Sequence, residues 1–453
     1  MEKNLTSGSV LRSILLFSGP YLLSYLLQTL YGMADLYIIG RFGTVAQTTA
    51  VSIGSQVMHM ITVMIVGLAM GTTVFIGQAV GGGDREKASQ GVGNTVTLFM
   101  LVSVALTAVL VMLVRPITAV MSTPADAVEG TVAYLTICFI GIPFITAYNV
   151  LSAIFRGMGD SRSPMYFVAV ACAVNIGLDV LFMGAMGMGP AGAALGTTLS
   201  QAVSVLIAVC VMGRHSAGIK VSRGDFRPSK PVMGSILRIG MPVALQDGLI
   251  QVAFIIITII ANQRGLNDSA AVGIVEKIIS FLFLVPSSML STVSALCAQN
   301  IGADKPERAE TTLRYAIAIT VSFGLVVAII MQFAAGKVVA LFTDPATAAG
   351  AQVVLLGGQY LRGYVWDCVF AGVHFCFSGY FCAIGRSELS FLHNIIAIGL
   401  MRVPGVWLTS RMFPDTLLPM GLATASGSLI SVIICLIAFA LLKRQKKAAA
   451  KNV

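Results

Sequence analysis

The sequence predicts an all-α polytopic membrane protein, with twelve transmembrane helices in two six-helix lobes related by a pseudo-two-fold axis along the membrane normal. Three observations carry the prediction. The 453 residues are 57% hydrophobic and only 11% charged, against roughly a quarter charged in a soluble domain. The apolar residues gather into twelve runs of about 20 residues, the length that crosses the hydrocarbon core as a helix with every backbone group satisfied internally. Finally, the second half of the chain repeats the first at a shift of about 221 residues.

The runs lie near 14–39, 51–76, 92–114, 131–154, 165–184, 190–212, 236–261, 270–296, 315–335, 356–384, 391–411 and 418–442. They are too long and too continuously apolar for the alternating ten-residue strands of a membrane barrel. The first carries Pro20, Gln28 and Asp35 and exceeds the short core of a cleavable signal, so it is expected to stay as helix one. The glycine-rich stretches "GGGDREKA" after the second run and "RGMGDSRS" after the fourth read as helix caps and turns. Gly67/Gly71, Gly77/Gly81 and Gly192/Gly196 have the small-xxx-small spacing that lets helices approach closely. The one long polar connection, 213–235, is the natural hinge between an amino-terminal lobe, 1–212, and a carboxyl lobe, 236–442, with a basic tail at 443–453.

Orientation follows from the cations. If the chain starts inside, 21 Lys and Arg fall on inner segments and 5 on outer ones, with Lys277, Arg362 and Arg402 left within spans. That bias places both termini in the cytoplasm of a multi-pass cell (inner) membrane protein. Topology thus accounts for the net charge of +10, and nucleic-acid binding is not needed; the basic tail suits anionic membrane lipid. The eight cysteines are scattered within spans without CxxC spacing, which suggests neither a disulfide frame nor a zinc site.

The repeat is detailed. Gln78, Gly81, Glu86, Lys87 and Ala88 match Gln299, Gly302, Glu307, Arg308 and Ala309; Ala50, Val51 and Ile53 fall on Ala271, Val272 and Ile274; and Pro124 falls on Pro345. Pro20 reaches Pro242 and Gly43 reaches Gly265 one residue later. Six helices per half is an even number, so both halves enter from the same side, the parallel two-lobe plan of many secondary transporters. Bilobed carriers need no partner subunit, and a monomer is expected.

Charges inside spans are costly, about 3 kcal/mol each on insertion scales, and mark ion or substrate paths. "NIGLDVLF" places Asp179 in helix five with Asn175 one turn away on the same face, and Asp35 lies in helix one. With Thr197 and Thr198 from helix six, these make a compact all-oxygen set able to hold a proton or, transiently, a sodium ion. Burial and a second carboxylate both disfavour the charged form. Asp35 maps to about Ile257 and Asp179 to about Gly405. The twin lobe therefore lacks the pair although its packing needs are similar, which points to function rather than structure. In the carboxyl lobe Asp247, Glu276 and Asp367 are the acids from which a second site would be drawn. Glu276 and Lys277 point about 100° apart and read equally as an interfacial pair, while Asp367 reads equally as the counter-charge of Arg362 or Arg402. His374 and His393 read as satisfied core residues, and the 22 Met as packing that also suits an adaptable cavity.

Taken together, "GPYLLSYLLQTLYGMADLYIIGRFG", "GQAVGGGDREKA", "RGMGDSRSP", "NIGLDVLF" and "GPAGAALGTTLSQ" make the chain similar, over nearly its whole length, to the multidrug and toxic compound extrusion (MATE) transporters. The resemblance implies export of small amphipathic, often cationic, organic compounds by alternating access in exchange for H+ or Na+, with no other cofactor. It also implies that Asp35, Asn175, Asp179 and Thr197 form the coupling site, that Pro20 lets helix one bend, and that acids of the carboxyl lobe serve instead in some branches. A flippase for a lipid-linked sugar or other amphipathic lipid precursor is the alternative within the same superfamily. Such proteins line their cavity with several Arg, whereas here only Lys277, Arg362 and Arg402 lie within spans, which favours a cationic or neutral cargo. An enzyme is not expected. "GMGD" at 157–160 fits the GxGD pattern of presenilin-like proteases, but Asp160 sits between Arg156 and Arg162 at the membrane edge without a Tyr-Asp partner. Neither HExxH nor a Walker A motif occurs.

Overall fold

The structure, a computed structural model, describes residues 5–214 and 221–451. Lys3 and Lys220 of the charge count, linker residues 215–220 and tail residues 452–453 lie outside the described residues. The described chain is helical, with no strand. In order it forms α1 (Val10–Phe42), α2 (Val45–Gly81), α3 (Arg85–Met112), α4 (Val114–Val120), α5 (Val128–Ile140), α6 (Ile142–Gly157), α7 (Arg162–Asp179) and α8 (Gly189–Arg214). There follow α9 (Lys230–Arg264), α10 (Leu266–Leu282), α11 (Leu284–Gly302), α12 (Pro306–Val339), α13 (Ala348–Tyr364), α14 (Asp367–Ala383), α15 (Ser387–Ala397), α16 (Val403–Met412) and α17 (Leu418–Lys451).

Eleven stretches of the described residues are long and apolar enough to span a membrane; the pair Ala125–Ile140 and Ile142–Gly157, bent by 50° across Gly141, makes twelve if counted as one span. The expected run at 131–154 is therefore a broken helix. The runs at 270–296 and 356–384 are each likewise built from two consecutive helices, α10 with α11 and α13 with α14. Helix starts follow from their caps: Thr44 and Gln47 form a reciprocal capping box at α2, the Asp84 carboxylate accepts from Lys87 N at 2.9 Å before α3, and Thr347 accepts from Gly350 N at 3.0 Å before α13.

The chain divides into two compact units, Met1–Ala244 with Ala298–Pro306, and Leu245–Cys297 with Glu307–Val453. Two apolar clusters fill the first. One is built on Ile39, Val51, Tyr134, Leu135 and Phe139; the other includes Phe75, Phe99, Phe155 and Phe167, the last two edge to face at 5.3 Å. The second unit packs Val272, Val275, Leu356, Tyr360, Leu361 and Tyr364 together. Leu101, Leu206 and Phe333 face outward, as lipid-facing residues do. Lipid tails are as apolar as leucine, so helix association here rests on close packing and interhelical polar contacts rather than on apolar burial.

Close packing also brings the sequence repeat against itself inside the first unit. A Cβ on Gly81, at the end of α2, would lie 2.0 Å from the carbonyl oxygen of Gln299, and one on Gly302, at the end of α11, would lie 2.0 Å from that of Gln78. Repeat-matched residues thus touch reciprocally, backbone on backbone. The described part of the 213–235 connection is clasped by α3. Asn94 Nδ2 donates to the Asp225 carbonyl at 3.0 Å, Ser229 N donates to Asn94 Oδ1 at 2.6 Å, and Thr97 Oγ1 donates to the Phe226 carbonyl at 2.8 Å.

Candidate functional site

Helix α7 packs against both α1 and α8, and this contact brings four of the sequence-predicted site residues together inside the first unit. Asn175 and Asp179 stand one turn apart at the end of α7, at 1% and 0% exposure, and Asp35 of α1 is 4% exposed. Thr197 of α8 is half-buried. The polar neighbours of the Asp35 carboxyl are Asp179, Thr197 and Asn175.

None of these groups is neutralised by the protein. Asp35 Oδ1, both Asp179 carboxyl oxygens, both polar atoms of the Asn175 amide and the Thr197 hydroxyl complete no hydrogen bond. Neither aspartate takes part in any of the five ion pairs among the described residues. Buried polar atoms of native proteins are nearly always partnered, so such a concentration calls for a chemical reason. The set consists of hard oxygen donors, two carboxylates with an amide and a hydroxyl, and suits a proton or a small hard cation.

Two features shape the site. Gly196 of α8 has the spacing of a helix-packing glycine, yet it opens onto the acid: a Cβ there would lie 2.2 Å from Asp179 Oδ1 and 3.6 Å from Asn175 Nδ2. Immediately after Asp179 the helix widens into a π-helical turn, Val180–Ala185, a feature common at functional sites. Pro20 lies inside α1, where it removes one backbone hydrogen bond and leaves a natural bending point. Ser24 Oγ donates to the Pro20 carbonyl at 2.9 Å.

The carboxyl-side acids are not gathered in the same way. Asp247 is half-buried, with Cys382 as its neighbour. Glu276 is half-buried and accepts from Thr258 Oγ1 at 3.3 Å, while Lys277 is exposed. Asp367, fully buried, pairs with Arg402 at 2.7 Å. Of the two cations weighed for that role, the structure selects Arg402, which ends a second π-helical turn, Ile398–Arg402. Arg402 Nη2 also donates to Ser428 Oγ at 2.8 Å, and Ser428 meets His374 Nε2 at 3.3 Å. Arginine has no acceptor, so the Ser428 oxygen accepts from Arg402 and its own proton is left for another partner. His374 lies edge-on to His393 at 5.4 Å, and His393 Nε2 meets Ser378 Oγ at 3.0 Å. The two histidines thus belong to one buried network.

Sequence reasoning missed three contributors. Ser428 has no distinguishing local signal. Gly196 reads as packing until the neighbouring helix is placed. Arg156, counted with the inner segments, is 8% exposed, and its signal lay on another helix, in the polar stripe Tyr21, Tyr25, Gln28, Tyr31 and Asp35 at helical spacing along α1.

A family model described as MatE matches residues 20–181 and 242–408, two segments that open on the repeat-related Pro20 and Pro242. Probable multidrug resistance protein YoeA of Bacillus subtilis is 27% identical over 410 residues, covering 89% of this chain and 88% of the relative. Multidrug export protein MepA of Staphylococcus haemolyticus is 23% identical over 407 residues, 90% and 88% of the two chains. Among solved structures, a multidrug resistance MATE family transporter of the MOP superfamily in an outward-facing conformation superposes with a TM-score of 0.88 at 24% identity, over 99% of this chain and 98% of that one. A MOP superfamily transporter from Pyrococcus furiosus, for which reverse polarity of the binding pocket suggests a different function, gives 0.90 at 24%, with the same coverage. At that identity the two structures establish a shared fold.

Proposed function

Because the chain belongs to the MatE family, a family of transporters and not of enzymes, we propose that it is a secondary active antiporter. It exports small amphipathic, often cationic, organic compounds in exchange for H+ or Na+ by alternating access, in a cell membrane with both termini cytoplasmic. The observation that carries the reading is the convergence of Asp35, Asn175, Asp179 and Thr197 into one buried, unneutralised cluster. The multidrug exporters among its relatives support the cargo class.

The physical cycle is short. Two carboxylates in a low-dielectric interior repel each other and favour uptake of one positive ion. A pair that has taken up one ion keeps a single negative charge shared between its carboxyls; an emptied pair carries two, which the surroundings cannot solvate. Loading and release therefore stabilise different arrangements of α1 against α7 and α8, and the organic compound is moved by whichever arrangement the ion favours. The coupling ion is held transiently and is no resident cofactor.

The test is transport in proteoliposomes under an imposed proton or sodium gradient. Asp35→Asn and Asp179→Asn are each expected to abolish gradient-driven efflux of a cationic dye while expression and folding persist. Efflux unchanged in either variant overturns the reading, and accumulation of a lipid-linked sugar precursor on depletion, with dye movement unaffected, favours a flippase.

A further inference from the structure

Below the acidic cluster, toward the start of α1, the interior of the first unit stays polar. Tyr21, Tyr25, Gln28, Tyr31 and Asp35 recur at intervals of four, three, three and four residues and so share one face of α1. Tyr148, Ser152 and Arg156 recur every four residues along α6. The two stripes meet: Tyr31 neighbours both Asp35 and Tyr148, and Tyr148 neighbours Ser152, Arg156, Tyr21 and Gln28. Hydroxyl and amide groups of α1 and α6 thus lie between the acidic pair and a guanidinium.

That guanidinium is unusual. Arg156 is 8% exposed, yet its side chain forms none of the ion pairs among the described residues. It lies over the Tyr21 ring at 5.2 Å, and Tyr21 stands edge-on to Tyr25 at 5.0 Å, with the hydroxyls 3.4 Å apart. Arginine stays charged in any protein setting, and removing an unpaired charge from water is expensive. Structural need alone does not explain it, because Arg402 in the second unit shows how this chain neutralises a buried arginine when it wants one, with a carboxylate at 2.7 Å. A fixed positive charge on a polar path has a known physical effect: it bars cations while leaving neutral groups in place.

We propose that Arg156 is the electrostatic stop of the ion path, holding cations at the Asp35–Asp179 pair and preventing their leak along the Tyr31–Tyr148–Gln28 column when no organic compound is being moved. This rests on the reading of Asp35 and Asp179 as the coupling pair. A stop of this kind keeps the exchange tight, since ions that pass without cargo waste the gradient.

The experiment measures ion entry into proteoliposomes holding the full-length protein, with an internal pH or sodium dye, an imposed gradient and no organic substrate. Arg156→Gln is expected to raise entry about tenfold or more, equivalent to removing about 1.4 kcal/mol of barrier. Arg156→Lys, which keeps the charge, should stay as tight as wild type. Arg156→Met keeps the stem on Tyr21 and serves if the glutamine variant does not fold. Adding Asp35→Asn to the leaky variant should close the leak. Folded Arg156→Gln or Arg156→Met as tight as wild type overturns the inference, as does a leak that persists with Asp35→Asn. Asp35→Asn alone separates the two claims: if it retains dye efflux, the coupling reading fails and the stop falls with it; if it loses efflux while Arg156→Gln stays tight, only the stop fails.

Discussion

Asp179 keeps its carboxyl where it is because residue 196 has no side chain. A methyl group there would sit 2.2 Å from Asp179 Oδ1, so the acid must turn away, the helices must part, or both. Gly196→Ala is expected to lower gradient-driven efflux by at least about tenfold, since misplacing a reacting group by 1 Å can cost about a hundredfold, while the protein still folds and elutes as wild type. Efflux at the wild-type rate would show that the position of Asp179 is immaterial. Arg402 makes the opposite case of an acid with a dedicated partner. Arg402→Met leaves Asp367 buried without its cation and should destabilise the solubilised protein by about 3–5 kcal/mol, whereas Arg402→Met combined with Asp367→Leu should recover most of the loss. Thermal unfolding of the three proteins decides it. The sequence identifies Asp367 and Arg402 as intramembrane charges. It cannot choose between Arg362 and Arg402 as partner, because that choice depends on how α13 and α14 pack beside the π turn at Ile398–Arg402.

At the scale of helices, the repeat makes a quantitative demand. Gly81 and Gly302 are repeat equivalents, and each faces the other's glutamine carbonyl at the same hypothetical Cβ distance of 2.0 Å. Gly81→Ala and Gly302→Ala should therefore cost similar stability, about 1–3 kcal/mol each as overpacking, and the double variant should cost less than the sum, because separating the helices once relieves both clashes. Fully additive losses would mean that the two ends do not meet. Helix existence and order were legible from hydropathy alone. The 50° break at Gly141 and the π turns at Val180–Ala185 and Ile398–Arg402 were not. Apolar composition is the same on both sides of such a break, so a run of greasy residues carries no mark of the turn where its backbone hydrogen bonds change register.

For the whole molecule, the cation bias is the quantity with a consequence. Twenty-one Lys and Arg on one set of segments against five on the other predict that a reporter active only in the cytoplasm works when fused at the carboxyl terminus, and that a cysteine placed in the Phe413–Thr416 turn is labelled from outside intact cells. The reverse pattern would invert the topology and with it the direction of export. Composition, the apolar runs, the repeat and the charge bias are all local or additive along the chain. By itself the sequence therefore determined that this is a polytopic helical membrane protein with an internal repeat, and named the helices that carry acids where acids are costly. The tertiary structure alone decided that Asp35 reaches Asp179, that Gly196 makes room for that meeting, that Arg402 answers Asp367, and that Arg156 lies buried over Tyr21 instead of in solvent. These are distances between helices far apart in sequence. Periodicity shows which face of a helix is polar but not which neighbour that face meets, because lipid and a second helix present the same apolar surface to a single strand of sequence.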